Sequence, residues 1–291
     1  MQTERYTNSI FEHSWWLDIV APDSWKEVLV KDNNGNVIAR MPYVIRKKSV
    51  IMPQKTQTLG IWFSPSVEND FDKIKEIIYT LDETLGQYKY VNIQLNPKCK
   101  YVLPFRWKGY TVETTFTYRI NDLKNTDQLY RKLGKSTKKN IRYAENRVEI
   151  ESSRNFDNMW DLLQKTYALQ GRSYKVSKEL SRHLFDECLK RENGIYLEAK
   201  DREGNVHSCG FFVYDENVFY YLTGARDPAF SKSQSQILLL WEAVRMASYK
   251  SKVFDFEGSV VEGIEAFFRK LGGGGVNHIM LSEKNLCTVL F

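Results

Sequence analysis

A short sequence pattern occurs twice in the chain, once in each half. Residues 31–37 read Lys-Asp-Asn-Asn-Gly-Asn-Val, and residues 200–206 read Lys-Asp-Arg-Glu-Gly-Asn-Val. In each copy the glycine can adopt a positive φ, and the Asp and Asn side chains can bond to their own backbone, so each copy predicts a β-hairpin turn. The repeat predicts two related domains in tandem. Chance recurrence of a common turn is the alternative.

Strand and helix signals alternate along the first half of the chain. Residues rich in β-branched and aromatic side chains predict strands over 25–31, 37–46, 49–52, 90–95 and 110–120. Apolar residues at helical spacing predict a helix over 70–85, with Asn69 or Asp70 as its cap. This order of elements is typical of an α/β fold.

The second half repeats that order. Predicted helices cover residues 127–133, 137–147, 156–169, 178–190, 236–249 and 263–271. Predicted strands cover residues 148–151, 195–199, 209–214, 218–223, 253–256 and 276–281. We therefore expect an α/β (α+β) protein with two domains, each a mixed sheet flanked by helices. The expected division is 1–120 and 121–291, with a helical connector over 121–147 that opens the second domain.

Positive charge is concentrated in that connector. The chain has a formal net charge of +6, and residues 131–147 hold seven basic residues and one acidic residue, so this segment accounts for the whole excess. One basic patch on a neutral body indicates a local anionic partner rather than general binding of nucleic acid. A solvated helix face is the alternative.

Several protein classes lose support because the sequence lacks their signals. No apolar stretch approaches the about 20 residues that a membrane-spanning helix requires, and no secretory apolar region follows the first residues. The four cysteines show neither CxxC nor Cys-His spacing, so we expect reduced thiols, a cytoplasmic location and no metal site. The chain contains no GxSxG, HExxH or Walker lysine motif, which argues against hydrolases, metalloproteases and NTPases.

A polar loop between a strand and an apolar helix is a candidate phosphate site. The strand over 218–223 is followed by a polar segment, and then by the apolar helix that begins near residue 236. Backbone N–H groups at such a helix start, with its partial positive charge, favour an anion. A routine serine-rich helix cap is the alternative. The candidate residues are Ser231, Lys232, Ser233, Gln234, Ser235 and Gln236.

The ends of two predicted strands carry candidate reactive groups. Tyr220 and Tyr221 point to opposite sides of their strand, so one of them can face a cleft and protonate a leaving group. Asp255 and Glu257 alternate with two phenylalanines, which predicts that both acids share one face, where Glu257 is a candidate general base. Burial of the tyrosines in a core and capping of the following helix by an acid are the alternatives. The four glycines over 272–275 predict a flexible turn.

Several segments together resemble a known family. They are residues 138–145, the strand with Tyr220 and Tyr221, the helix with residues 238–241, and residues 255–259 and 267–272. In this order they are similar to the FemAB-like branch of the GNAT acyltransferase superfamily. The resemblance implies two tandem GNAT-like domains, and the transfer of an acyl group to an amine. The donor that it implies is acetyl-CoA in the compact members and aminoacyl-tRNA in the peptidoglycan-bridge members.

The resemblance also implies a distribution of roles over these residues. The 231–236 loop would hold the donor phosphates, although it lacks the glycines of the GNAT pattern Q/RxxGxG/A. Tyr220, Tyr221 and Glu257 would flank the reacting centre. An anionic small molecule or cell-envelope precursor would be bound by residues Lys138, Arg142, Arg172, Tyr174 and Ser259.

The expected function is that of an N-acyltransferase which moves an acetyl or other acyl group from acyl-CoA to an amine on a sugar, a peptide or a cell-envelope precursor. One alternative is an aminoacyl-tRNA-dependent peptidyl transferase of the FemAB type, for which tRNA is the partner. The other alternative is a catalytically silent binding module that retains the fold.

Overall fold

The chain forms two compact units. The computed structural model describes residues 5–258 and 261–284. Unit 1 runs to Thr115 and resumes at Asn277, whereas unit 2 is the continuous segment Phe116–Val276. The predicted division assigns residues 277–284 to the second domain. The structure groups them with unit 1, because they belong to a strand that pairs there.

Helices and strands alternate through the described residues. The α-helices are α1 (Ser14–Val20), α2 (Phe71–Leu85), α3 (Leu103–Trp107), α4 (Thr126–Lys132), α5 (Lys135–Glu145), α6 (Phe156–Ala168), α7 (Lys178–Lys190), α8 (Ser235–Ala247) and α9 (Glu262–Lys270). The strands are β1 (Trp25–Lys31), β2 (Val37–Arg46), β3 (Ser49–Ile51), β4 (Trp62–Phe63), β5 (Tyr90–Leu95), β6 (Tyr110–Ile120), β7 (Glu149–Ser152), β8 (Gly194–Lys200), β9 (Val206–Tyr214), β10 (Val218–Arg226), β11 (Val253–Asp255) and β12 (Gly274–Lys284). Short 3₁₀ helices cover Ile10–Glu12 and Pro228–Ser233.

Unit 1 contains a mixed sheet in the order β1, β2, β3, β5, β12, with β4 paired to β2. β3 and β5 are parallel, and the other neighbours are antiparallel. Helix α2 buries one apolar stripe, and the Asp70 side chain caps it by accepting a hydrogen bond from Lys73 N. The helix therefore has both of the features that the sequence predicts, an amphipathic period and an aspartate cap.

Unit 2 contains a mixed sheet in the order β6, β11, β10, β9, β8, β7, in which β10 and β11 are parallel. Helices α5 and α8 pack with Phe212 in one apolar core, where α8 supplies a run of fully buried side chains. On the other face the α7 side chain Phe185 packs against Phe211 and Tyr196. Because Phe211 and Phe212 are neighbours on β9, they point to opposite faces of the sheet.

The two copies of the repeated pattern form hairpins with the same hydrogen bonds. Asp32 Oδ1 accepts from Asn36 N at 2.9 Å, and Asp201 Oδ1 accepts from Asn205 N at 2.8 Å. Each turn also has its glycine at φ 84°. The hairpins join β1 to β2 and β8 to β9, so the predicted hairpin turns are confirmed.

Some predicted elements differ from the structure. β11 ends at Asp255, which makes the predicted alternation of Asp255 and Glu257 on one strand face wrong, since Glu257 has a left-handed φ of 61° beyond the strand. The glycine run is also not one flexible turn, because Gly274 and Gly275 begin β12. Helices α4 and α5 are capped at Asn125 and Gly134, one or two residues earlier than predicted.

Candidate active site

The junction of β10 and α8 organises the candidate site in unit 2. β10 pairs with the parallel strand β11 only over Val218–Tyr220, although β10 continues to Arg226. On its other side β10 pairs with the antiparallel strand β9, and the register of this pairing shifts between Tyr221 and Thr223. Such a bulge leaves one residue out of the ladder, and bulges are common beside active sites. In the described part of unit 2, β10 therefore has an edge without a neighbouring strand beyond Tyr220.

The predicted phosphate loop forms a 3₁₀ helix that leads into α8. Gln234, the N-cap residue of α8, has a left-handed φ of 59°, and its side chain makes no cap hydrogen bond. Ser231 and Lys232 are exposed, whereas Ser233 and Ser235 are buried, and Ser233 Oγ accepts from Ser235 N at 3.3 Å. The left-handed residue places the backbone in a conformation that glycine more often provides.

An open cavity of about 400 Å³ lies beside this loop. Its lining includes Ser231, Lys232 and Ser233, together with Tyr143 and Arg147 from the end of the basic segment. The guanidinium carbon of Arg147 lies 3.4 Å from the Tyr143 ring centroid. Two cations and serine hydroxyls thus line the cavity close in the chain to the start of α8, and such groups suit a phosphate.

Tyr221 connects β10 with the first turn of α8. Its hydroxyl accepts a hydrogen bond of 2.9 Å from Gln236 Nε2, and its ring packs against Phe212 and Phe268. A Cβ added at Gly224 would overlap the Tyr221 hydroxyl, so the absence of a side chain there makes room for this tyrosine. Burial raises the pKa of Tyr221. The hydroxyl therefore stays protonated near neutral pH and can donate a proton.

Tyr220 lies on the other face of the same strand. It is 1% exposed and stands opposite Val213 on β9 and Asp255 on β11. Val213 shares its face with Phe211, which contacts the α7 helix, so Tyr220 points away from α8. The structure thus separates the two predicted tyrosines and brings Tyr221 to the α8 side.

Asp255 is a fully buried carboxylate at the end of β11. Its Oδ2 pairs with Arg119 Nε at 2.6 Å, and its Oδ1 accepts from Thr117 Oγ1 at 2.5 Å and from Glu257 N at 2.7 Å. Each oxygen of a buried carboxylate needs such partners to offset its loss of water. Asp255 therefore stabilises the backbone turn that follows β11.

Glu257 occupies that turn, which continues into Gly258 at φ 66°. A Cβ at Gly258 would overlap Phe116 O, so the turn passes close to β6. The Glu257 side chain is partly buried. The alternative role of an acid as the cap of α9 is not seen for Glu257, because the N-cap position of α9 is Val261 and it makes no side-chain cap bond.

The four described residues predicted to bind the acceptor do not form one group. Lys138 and Arg142 lie on α5, where Lys138 Nζ donates to Arg131 O at 3.0 Å and Arg142 is exposed. Arg172 and Tyr174 lie between α6 and α7, where the Tyr174 ring packs against Trp160 and Tyr167 of α6 and its hydroxyl lies near Thr223.

These two pairs lie on different faces of the unit 2 sheet. Thr223 stands opposite Phe211, on the face that α7 covers, whereas α5 packs in the core on the α8 side. Burial raises the pKa of Tyr174 to about 12. The sheet thus separates Tyr174 from Lys138 and Arg142, and binding of the acceptor by these residues stays a prediction. The fifth predicted residue, Ser259, lies outside the described residues.

Two residues of the site were not predicted from the sequence. Tyr143 and Arg147 line the cavity together with the 231–233 loop. Arg147 was part of the basic run, so charge alone could have suggested it, whereas Tyr143 lies in the segment 138–145 that carries the resemblance but had no predicted role. Within the described residues, no cluster of His, Cys, Asp and Glu side chains has the arrangement of a metal site. None of the described helices combines the length and apolar character needed to cross a bilayer.

Comparison with known proteins supports the fold and the domain. Residues 129–267 match the family model described as acetyltransferase (GNAT) domain. No curated protein matches the chain. Among solved structures, FemX has a TM-score of 0.72 at 11% identity, over 93% of this chain and 91% of FemX.

Two further structures have the same fold over most of their length. A tandem GNAT protein from the clavulanic acid biosynthesis pathway has a TM-score of 0.55 at 9% identity, over 92% of this chain and 86% of that protein. L-PGS from Bacillus licheniformis has a TM-score of 0.54 at 13% identity, over 90% of this chain and 85% of that protein. At these identities the likeness establishes a shared fold. Residues 129–267 thus match an acetyltransferase (GNAT) domain, and the chain shares the fold of FemX and of a tandem GNAT protein.

Proposed function

We propose that the protein is an N-acyltransferase that moves an acetyl or other acyl group from acyl-CoA to an amine on a sugar, a peptide or a cell-envelope precursor. The observation that carries the proposal is the cavity beside the loop that leads into α8, with Lys232, Arg147 and serine hydroxyls at its edge. It lies within the segment that matches the acetyltransferase domain.

The residues present fit the chemical groups of such a donor. Phosphates suit the two cations and the positive end of the α8 dipole. Gln236 Oε1 is buried and has no hydrogen-bond partner among the described residues, so the junction also holds an acceptor for an amide N–H. The pantetheine arm of CoA carries amides of that kind.

Acyl transfer forms a bond from the amine nitrogen to the carbonyl carbon and breaks the carbon–sulfur bond, while the amine loses a proton and the sulfur gains one. In our proposal Tyr221 supplies the proton for sulfur, since its raised pKa keeps the hydroxyl protonated. Glu257, which follows the end of β11, accepts the proton of the amine. Backbone N–H groups near the β10 bulge are suited to stabilise the negative charge on the carbonyl oxygen.

Donor binding can be tested through thermal stability and calorimetry. A ligand present at a hundred times its Kd stabilises a protein by about 2.7 kcal/mol, which is visible as a rise in Tm. We expect acetyl-CoA to raise the Tm of the wild type. The substitution Lys232→Glu should weaken the affinity for CoA by about 1–3 kcal/mol.

A matched charge reversal provides the control. Lys252 is exposed and lies beside the opposite end of β10, where its Nζ contacts Asn217 Oδ1 at 3.0 Å. Lys252→Glu should therefore leave the affinity for CoA unchanged. The absence of any Tm shift with acetyl-CoA, or equal losses for both variants, would contradict the proposed donor site.

The exposed cations of α4 and α5 favour aminoacyl-tRNA as a second candidate donor. Six of the seven basic residues in this segment are exposed: Arg131, Lys132, Lys135, Lys139, Arg142 and Arg147. If tRNA binds here, its affinity should fall steeply with salt and should fall further on reversal of Arg142 to Glu. Binding of neither donor would favour the silent binding module.

A further inference from the structure

An exposed apolar surface in unit 1 has no role in the proposed transfer. Three of the four large hydrophobic side chains exposed in the described part of unit 1 lie on α2 and α3. Phe71 is 61% exposed, and Leu103 and Trp107 are each 50% exposed. Leu103 and Trp107 are four residues apart on α3, so both lie on the same side of that helix.

Ring contacts join these residues into one surface. The Phe71 ring stacks on Tyr101 at a centroid distance of 4.7 Å, and Tyr101 meets Trp107 edge-on at 6.3 Å. The core stripe of α2 is already buried, and Phe71, its first residue, is not part of that stripe. Clustered exposed apolar side chains, unlike scattered ones, indicate an interaction site.

One lysine lies near these rings, and further basic residues are close to them in the chain. Lys75 Nζ lies 6.0 Å from the Trp107 ring centroid, and residues 97–112 contain four basic residues and no acidic residue. Of these four, Lys98, Lys100 and Arg106 are exposed, and Lys108 pairs with Asp82 at 3.7 Å. We refer to Phe71, Tyr101, Leu103 and Trp107 with Lys75, Lys98, Lys100 and Arg106 as the aromatic–basic surface.

Acidic residues lie beside this surface. Asp72 and Glu76 are exposed on α2, each one residue after Phe71 or Lys75. One residue is a turn of about 100° around a helix, so these two acids project in a different direction from the rings. Arg106 is displaced from Trp107 in the same way, so the excess of cations rests on residues 97–112, which contain no acid.

We propose that the aromatic–basic surface docks unit 1 onto an anionic lipid bilayer. Phe, Leu and Trp side chains enter the boundary between headgroups and acyl chains, and the flexible cationic side chains reach anionic headgroups. Each Lys or Arg near an anionic surface strengthens the attraction, and buried apolar groups add to it. The combination of exposed apolar tips and an excess of cations matches a bilayer better than an apolar protein groove, in which the cations would be desolvated.

Co-sedimentation of the full chain with lipid vesicles tests this proposal without measuring acyl transfer. The wild type should bind vesicles that contain phosphatidylglycerol, and should bind pure phosphatidylcholine vesicles at least about tenfold less. About 0.5 M salt should weaken the binding. The double substitution Phe71→Ser and Trp107→Ser should reduce binding to phosphatidylglycerol vesicles at least about tenfold. The matched control is Tyr249→Ser, because Tyr249 is 90% exposed in unit 2.

A charge-reversal pair keeps the test informative if the apolar variant loses stability. Lys98→Glu with Lys100→Glu should abolish the preference for anionic vesicles, whereas Lys250→Glu with Lys252→Glu in unit 2 should retain it. The Tm of each variant shows whether it is folded. Equal binding to both vesicle types, or unchanged binding by the folded Phe71/Trp107 and Lys98/Lys100 variants, would overturn the proposal. Binding of single-stranded RNA through the same residues, without binding of vesicles, would replace it with a nucleic-acid surface.

Discussion

The side-chain amide of Gln236 donates a hydrogen bond of 2.9 Å to the hydroxyl of Tyr221, and so joins the first turn of α8 to the segment of β10 that extends past β11. This bond fixes the orientation of a hydroxyl that has a raised pKa. In the proposed reaction this hydroxyl is the proton donor for the leaving sulfur. Three testable predictions concern contacts within unit 2, and a fourth concerns a buried acid of unit 1.

Removal of the Tyr221 hydroxyl should slow catalysis more than it affects folding. We expect Tyr221→Phe to reduce kcat by about 10²- to 10⁴-fold, the range for loss of a general acid, with a small change in Tm. Steady-state kinetics with acetyl-CoA and an amine acceptor measures the effect. The matched control is Tyr214→Phe, since the Tyr214 ring stacks on Phe219 in the same unit. Wild-type kcat in Tyr221→Phe would remove Tyr221 from the mechanism.

A methyl group at position 224 should destabilise unit 2 through its contact with Tyr221. The added Cβ of Gly224→Ala overlaps the tyrosine side chain, and such overpacking costs about 1–3 kcal/mol of unfolding free energy. In a Tyr221→Ala background the same change should cost much less. Urea unfolding of the four proteins in this double-mutant cycle measures the coupling.

A second glycine provides the comparison for that cycle. Gly263 lies within α9, and a Cβ there meets no atom within 4 Å. Gly263→Ala should therefore stabilise the protein by up to about 1 kcal/mol through helix propensity. Additive effects of Gly224→Ala and Tyr221→Ala would contradict the proposed steric contact.

Neutralisation of Asp255 should be strongly destabilising. Asp255→Asn keeps the size of the side chain but leaves Arg119, whose side chain is 12% exposed, without its carboxylate. Loss of one partner from a buried ion pair typically costs about 3–5 kcal/mol. Denaturant unfolding measures this loss, and Asp215→Asn near the opposite end of β10 tests whether removing a charge alone has the same effect. A cost below about 1 kcal/mol would show that the pair does not stabilise unit 2.

The stability of unit 1 should decrease as the pH rises through neutrality. Burial raises the pKa of Glu12 from 4.5 to about 7, against the opposing effect of hydrogen bonds and of Arg40. The folded state therefore holds a proton that the unfolded state releases above its ordinary pKa. This contribution is fully present below about pH 4.5, and is lost as the pH rises to about 7.

The substitution Glu12→Gln removes that dependence. Relative to the wild type, Glu12→Gln should gain up to about 3 kcal/mol between pH 5 and pH 8, as the raised pKa implies. Unfolding free energies measured across this pH range test the gain, with Glu68→Gln as the exposed control. A constant difference between Glu12→Gln and the wild type over that range would rule out the titration of Glu12.

Local patterns were sufficient to predict much of the fold. The two turns at Gly35 and Gly204 and the amphipathic helix α2 follow from residues close together in the chain, and all of them occur as predicted. The division of Tyr220 and Tyr221 between two faces also follows from the period of a strand. Such features depend on local chemistry, which the sequence displays directly.

The details of the site depend on contacts between distant segments. Glu257 leaves the strand because Asp255 is held by Thr117 and Arg119, which lie more than a hundred residues earlier. The presence of Arg147 and Lys232 in the lining of one cavity likewise depends on how α5 packs against α8. No local pattern encodes these contacts, so the sequence marked the loop at 231–233 but not its neighbours at the cavity.

The path of the chain between the two units has a consequence for biosynthesis. β12 pairs with β5 through residues 279–282, but these residues leave the ribosome long after the rest of unit 1. Unit 2 is complete once Val276 has emerged. Until β12 is synthesised, however, one edge of β5 is unpaired and can pair with other chains. A product that terminates before residue 277 would keep that edge open permanently, so translation must reach the last strand before unit 1 is protected from aggregation.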